Sequence, residues 1–137
     1  MSTDTMASIT EHLEFLGYRC QAQDDGWTLA VHPTRPDFFV RVLPLGVRLV
    51  AIFTVDDLDQ AQRADWLWFA NRCNETGLLV KFALVARDEG GFVFRASTFA
   101  PLAYERAAFG AFMDVWHRDL TLMEHAPSRD QGSEGDE

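Results

Sequence analysis

The sequence predicts an α+β domain, an antiparallel sheet covered by helices in the order α-β-β-β-α-β-β-α. Three observations predict it. Segments of period two at 27–31, 38–43 and 47–55 alternate with segments of helical period. Short turns at 44–46 and 88–91 join successive strands closely enough that they must pair antiparallel. A chain of 137 residues that is 47% hydrophobic and 24% charged has a globular composition, long enough to bury about two-thirds of its surface.

The first helix carries Met6, Ile9, Leu13 and Leu16 on one stripe, with Ser8 and Glu11 at capping-box spacing and Gly17 as terminator. Phe15 lies off that stripe and is expected to be partly exposed. After the turn Asp24-Asp25-Gly26, Trp27 to Val31 alternates, with Trp27, Leu29 and Val31 sharing a face. Pro33 and Pro36 bracket a loop, because neither can donate to a ladder. Phe38 to Leu43 puts Phe38, Val40 and Val42 on one side. Val47 to Val55 is the longest strand, with Val47, Leu49, Ala51, Phe53 and Val55 on one face and Arg48, Val50, Ile52 and Thr54 on the other.

The second helix is expected from about Leu58 to Glu75, capped by Asp56 or Asp57 and ended by Gly77. Trp66, Phe69, Ala70 and Cys73 form its apolar stripe. Trp68 falls about 200° round from Trp66, beside Ala61 and Ala64, so one face cannot hold both indoles. Strands Leu78–Arg87 and Phe92–Phe99 flank the turn Asp88-Glu89-Gly90-Gly91. A last helix from about Leu102 to Met123 lines up Phe109, Phe112, Met113, Trp116, Leu120 and Met123. Residues 1–126 are read as one domain, and residues 127–137 as a disordered acidic tail. How the strand triplet docks on the later pair is not readable from periodicity.

Composition excludes several function classes. Twelve Lys+Arg against 21 Asp+Glu give a net charge of −9, which disfavours nucleic-acid binding and adhesion to an anionic membrane. No segment approaches the roughly 20 apolar residues of a membrane span, and the start has no signal-peptide pattern. Cys20 and Cys73 form no short-spaced pair and read as reduced thiols, so a cytoplasmic protein is expected.

Catalytic motifs are missing as well. His12, His32, His117 and His125 have no i, i+3 or i, i+4 spacing for a metal, and no Cys-x-x-Cys occurs. The cluster Asp56-Asp57-Asp59 lacks the twelve-residue loop of a calcium site and reads as helix capping. Gly90-Gly91 precedes a strand, so it makes no phosphate cradle. No enzyme, metal or cofactor is expected. What remains is apolar surface: Trp68 with Ala61, Ala64 and Leu67 is expected to be a homodimer contact, ahead of burial against the last helix or an inert exposed tryptophan. The competing reading is a small-molecule sensory domain with a pocket between the sheet and the last helix near Trp116.

With these elements in order, the chain resembles the YbjN-like family, proposed sensory transduction regulators of bacteria, similar in fold to the class I type III secretion chaperones. The residues that carry the resemblance are Leu16-Gly17-Tyr18, Asp24-Asp25-Gly26-Trp27, Phe69-Ala70-Asn71-Arg72-Cys73-Asn74, Lys81-Phe82-Ala83-Leu84 and Asp88-Glu89-Gly90-Gly91. They span roughly residues 5–125. The resemblance implies a small acidic, non-enzymatic protein, usually dimeric, that acts as a chaperone or regulator by binding a polypeptide client. It places the dimer contact on the second helix, at Trp68 and its neighbours. It places the client on Phe15, Phe39, Val50 and Ile52.

Overall fold

The structure, a computed structural model, describes residues 2–101 and 104–127. Among them the elements are α1 (Ser2–Phe15), β1 (Arg19–Ala22), β2 (Thr28–Val31), β3 (Phe38–Leu43), β4 (Gly46–Asp56), α2 (Gln60–Thr76), β5 (Lys81–Ala86), β6 (Phe92–Ala100), α3 (Arg106–Leu120) and a 3-10 turn, Thr121–His125. The strands form one antiparallel sheet in the order β1-β2-β3-β4-β6-β5. The α+β reading therefore holds, and the docking of triplet and pair is resolved. The chain leaves β4, crosses over as α2, enters at the far edge as β5, and returns as β6 beside β4.

One face of the sheet faces the helices. Cross-strand register puts Val40, Leu49 and Thr98 in one row and Ala51, Ala96 and Phe82 in the next. Ile9 and Leu13 of α1, Trp66 and Phe69 of α2, and Phe109 and Trp116 of α3 are buried in the same core. Trp66 and Phe69 pack on Phe94 at ring separations of 5.2 and 5.4 Å, and Trp116 meets Phe38 edge-on at 5.5 Å. Each fully buried side chain of this kind is worth about 1.5–3 kcal/mol relative to exposure. The stripes read for α2 and α3, and the inward faces of β3 and β4, are the buried ones.

Several expectations need correction. The four residues of β1 show no apolar alternation; backbone pairing with β2 makes them a strand, and pattern reading misses it. Trp27, Leu29 and Val31 do share a face, but Ala30 is the residue that enters the core. Ser8 lies inside α1 rather than at its start. Gly17, at φ +101°, ends that helix as expected, with the amides of Leu16, Gly17 and Tyr18 bonded back to the last turn. The cap of α2 is Asp59, not Asp56 or Asp57: its carboxylate accepts the Gln62 amide at 2.8 Å, while the Gln62 side-chain oxygen accepts the Asp59 amide at 2.9 Å. The last helix begins at Arg106, because Glu105 accepts the amides of Ala107 and Ala108. Leu102, where the sequence reading began it, lies outside the described residues, as does the acidic stretch from residue 128.

The start of β5 is later than expected, and the reason is a buried carboxylate. Asp119 of α3, only 1% exposed, accepts the backbone N–H groups of Leu78, Leu79 and Val80 at 2.8–3.1 Å. Those three residues therefore wrap around a side chain instead of joining a ladder. The arrangement ties the end of α3 to the turn between α2 and the sheet. Gly77 leaves room for it, since a Cβ there would come within 3.3 Å of the carboxylate. Asp119→Ala is expected to cost about 3 kcal/mol or more, because it leaves three amides without their acceptor. Urea denaturation followed by tryptophan fluorescence measures this, and a loss below about 1 kcal/mol would show that the anchor is dispensable.

Candidate functional site

All three helices lie on one face of the sheet, and no described helix covers the other. That open face is built by alternation. Residues that are out of phase with the core point to it, so each strand contributes every second side chain. The register arranges them in rows. Leu29, Phe39, Val50, Ser97 and Lys81 cross β2, β3, β4, β6 and β5 as a central row. On one side of it lie Arg41, Arg48 and Phe99. On the other lie Ile52, Arg95 and Ala83. Ile52 is 49% exposed, Phe39 and Val50 are half-buried, and Ser97 is buried. Arg41 also stacks over the Trp27 ring at 5.7 Å, extending this surface to the edge of β2.

The four expected client-binding residues are thus split. Phe39 and Val50 are direct cross-strand partners, and Ile52 follows Val50 on the same face. Phe15 is 73% exposed but sits on α1, in the helical layer, with Arg106 over its ring at 5.3 Å. The sheet separates it from the other three. Its outward position was legible from the helical period, whereas its distance from the open face depends on which side α1 packs.

The expected dimer residues are brought together by α2 alone. Ala61, Ala64, Leu67 and Trp68 are all exposed on its outer side, Trp68 by 61% and Leu67 by 49%. Arg72 lies over the Trp68 ring at 4.9 Å. Trp68 is therefore not buried against α3. With Leu122 and His125 it lines a groove of about 720 Å³ between α2 and the C-terminal turn.

The edge at β5 carries a feature that sequence reading missed. The side chain of Asn74 donates to the Phe82 carbonyl at 2.9 Å and accepts the Phe82 amide at 2.7 Å. One amide thereby occupies the outward-facing backbone groups that a further strand would use. Together with Asp119 on Val80, it closes the first half of this edge. Nothing in the spacing of Asn74 signals this, since its partner is fixed by the crossover.

Chemistry at the remaining polar groups is weak. Burial pushes the Cys73 thiol up to about 11, far from the range of a reactive thiolate. Burial also lowers His12 and His117 below their ordinary value, with nearby Arg106 and Arg35 adding to the effect. His12 is spent on a structural bond, its Nδ1 lying 3.0 Å from the Tyr104 hydroxyl. Trp116, beside which the small-molecule reading sets its pocket, is fully buried and meets Phe38 edge-on, with no hydrogen-bond partner for its indole N–H among the described residues. Among the described residues, no three His, Cys, Asp or Glu side chains converge, and no helix is long and apolar enough to cross a membrane.

Comparison with solved structures places this geometry. The crystal structure of YbjN from E. coli, a proposed transcription regulator, superimposes with a TM-score of 0.67 at 12% sequence identity, covering 86% of this chain and 88% of that one. The fold is YbjN-like. No family model matches the sequence, and no curated protein does. The YbjN-like fold therefore rests on shape: three helices on one side of a six-stranded antiparallel sheet. Asn74→Ala is expected to destabilise the domain by about 1–3 kcal/mol, because two part-buried backbone groups lose their partners. It should also promote self-association through the bared edge, read as a concentration-dependent rise in mass by light scattering. Unchanged stability and mass would remove the edge-closing role.

Proposed function

We propose that the protein is a non-enzymatic binding module, chaperone-like or regulatory, that acts as a homodimer and grips a polypeptide on the open face of its sheet. The observation that carries this reading is the apolar row Leu29–Phe39–Val50, continued by Ile52, on a sheet face that no described helix covers. A sheet of six strands offers more apolar surface than three helices on one side can use, and extended apolar patches on soluble proteins mark interaction sites. The closed half-edge at β5 favours recognition by side chains of that face over addition of a strand there.

The homodimer reading rests on α2. Ala61 and Ala64 permit close approach beside the exposed Trp68. Asp65 and Arg72 stand nearly symmetrically about Trp68, so an antiparallel twofold pairing would set each against the other's opposite charge. The structural neighbour's description as a proposed transcription regulator is compatible with a regulatory role. Two free cysteines suit a reducing compartment, and we place the protein in the cytoplasm.

Light scattering at tens of micromolar is expected to give about twice the 15.5 kDa chain mass, and Trp68→Glu to give the single-chain mass. A monomeric wild type would remove the dimer. Val50→Asp, which puts a carboxylate in the middle of the apolar row, is expected to abolish retention of peptides on an array while leaving the thermal melt within a few degrees. Equal retention by wild type and variant would remove the open face as the binding surface.

A further inference from the structure

The open face has a charge opposite to that of the molecule. The chain carries 21 acidic and 12 basic residues, yet its strands hold five cations, Arg19, Arg41, Arg48, Lys81 and Arg95, and one carboxylate, Asp56 at the very end of β4. Register places all five cations on the open face. None of them forms an ion pair among the described residues, where the salt bridges are Arg87–Glu89 and Arg118–Asp119. Arg41 and Arg48 are direct cross-strand partners, a like-charge pairing that works against the sheet. A shallow groove of about 680 Å³ passes Arg48, Arg95, Ser97 and Lys81 without a lining carboxylate. Apart from Arg41 over the Trp27 ring, no contact among the described residues offsets this concentration of positive charge. A partner with negative charge would.

The layout selects the shape of that partner. The central row is apolar from Leu29 to Val50 and ends at Ser97 and Lys81, with arginines in the rows on both sides. Rows two residues apart are separated by about 7 Å, so the flanking rows stand about 13 Å from each other. An α-helix with its side chains is about 10–12 Å across and fits between them. The central row crosses four inter-strand gaps, about 19 Å in all, which matches about 13 helical residues. An extended strand sends alternate side chains to opposite faces and cannot present carboxylates on both sides of one apolar line.

We propose that the open face binds an acidic amphipathic helix of about three to four turns, its apolar stripe on Leu29, Phe39 and Val50 and its carboxylates on Arg41, Arg48 and Arg95. This rests on the reading of the open face as a polypeptide-binding surface and adds the charge and the conformation of the client. Overall acidity would suggest basic clients, and the local field of the sheet reverses that expectation.

The test uses the full chain and three synthetic helical peptides of about 14 residues, with the same leucine stripe flanked by Glu, Gln or Lys. Fluorescence anisotropy is expected to show the Glu peptide bound at least about tenfold more tightly than the Gln peptide, with the Lys peptide unbound. The advantage should shrink between about 0.05 and 0.5 M salt. Arg48→Glu combined with Arg95→Glu, both exposed positions checked by circular dichroism, should transfer the preference to the Lys peptide. Equal affinity for the Glu and Gln peptides, abolished by Val50→Asp, would overturn the acidic client and leave the binding face standing. No binding of any of the three would overturn both. Tighter binding of a single-stranded oligonucleotide than of the Glu peptide would also overturn it, in favour of a nucleic-acid partner.

Discussion

Three helices can cover one face of a six-stranded sheet, and the three helices among the described residues pack on the same one. Everything else follows from that allocation. The side chains in phase with Leu49 and Ala51 are sealed against Trp66, Phe69 and Trp116, and those out of phase, such as Val50 and Ile52, are left facing outward. In a strand these two sets differ by one residue, so a single register decides which side chains stabilise the fold and which are available to a partner.

Two side chains keep that allocation in place. Asp119 joins α3 to the turn that follows α2, and Asn74 joins α2 to β5, so the crossover is fastened twice where α2 passes into the sheet. Each makes its hydrogen bonds to backbone groups, which couples the helical layer to the sheet without filling the open face. The same bonds cover part of the β5 edge, a site where a sheet is otherwise prone to pair with strangers.

Much of this was legible in the sequence, for a physical reason. Period-two and period-3.6 patterns report which side chains leave water, so the faces of β3, β4, α2 and α3 could be read directly, including the opposed positions of Trp66 and Trp68. What could not be read was whatever depends on contacts distant in the chain. β1 exists because β2 lies beside it, since Arg19–Ala22 carries no pattern of its own. Asp59 rather than Asp57 caps α2, although Asp57 also has a glutamine three residues on, at Gln60. Phe15 and Val50 both read as apolar surface, and only the packing of α1 puts the sheet between them. The gathering of cations on one face was present in the alternation of strands, but it becomes a surface only once β4, β6 and β5 are placed side by side.

A sheet face that no described helix covers is thus the central feature, apolar along its middle and cationic at its flanks, in a molecule whose overall charge is strongly negative. The most direct measurement is carbene footprinting of the purified protein, read residue by residue. On the present account Phe39, Val50 and Ile52 take up label well above the level of Leu49 and Ala51, their neighbours on the sealed side. Labelling of Val50 and Ile52 as low as that of Leu49 would mean that the face is already covered, and would contradict the account.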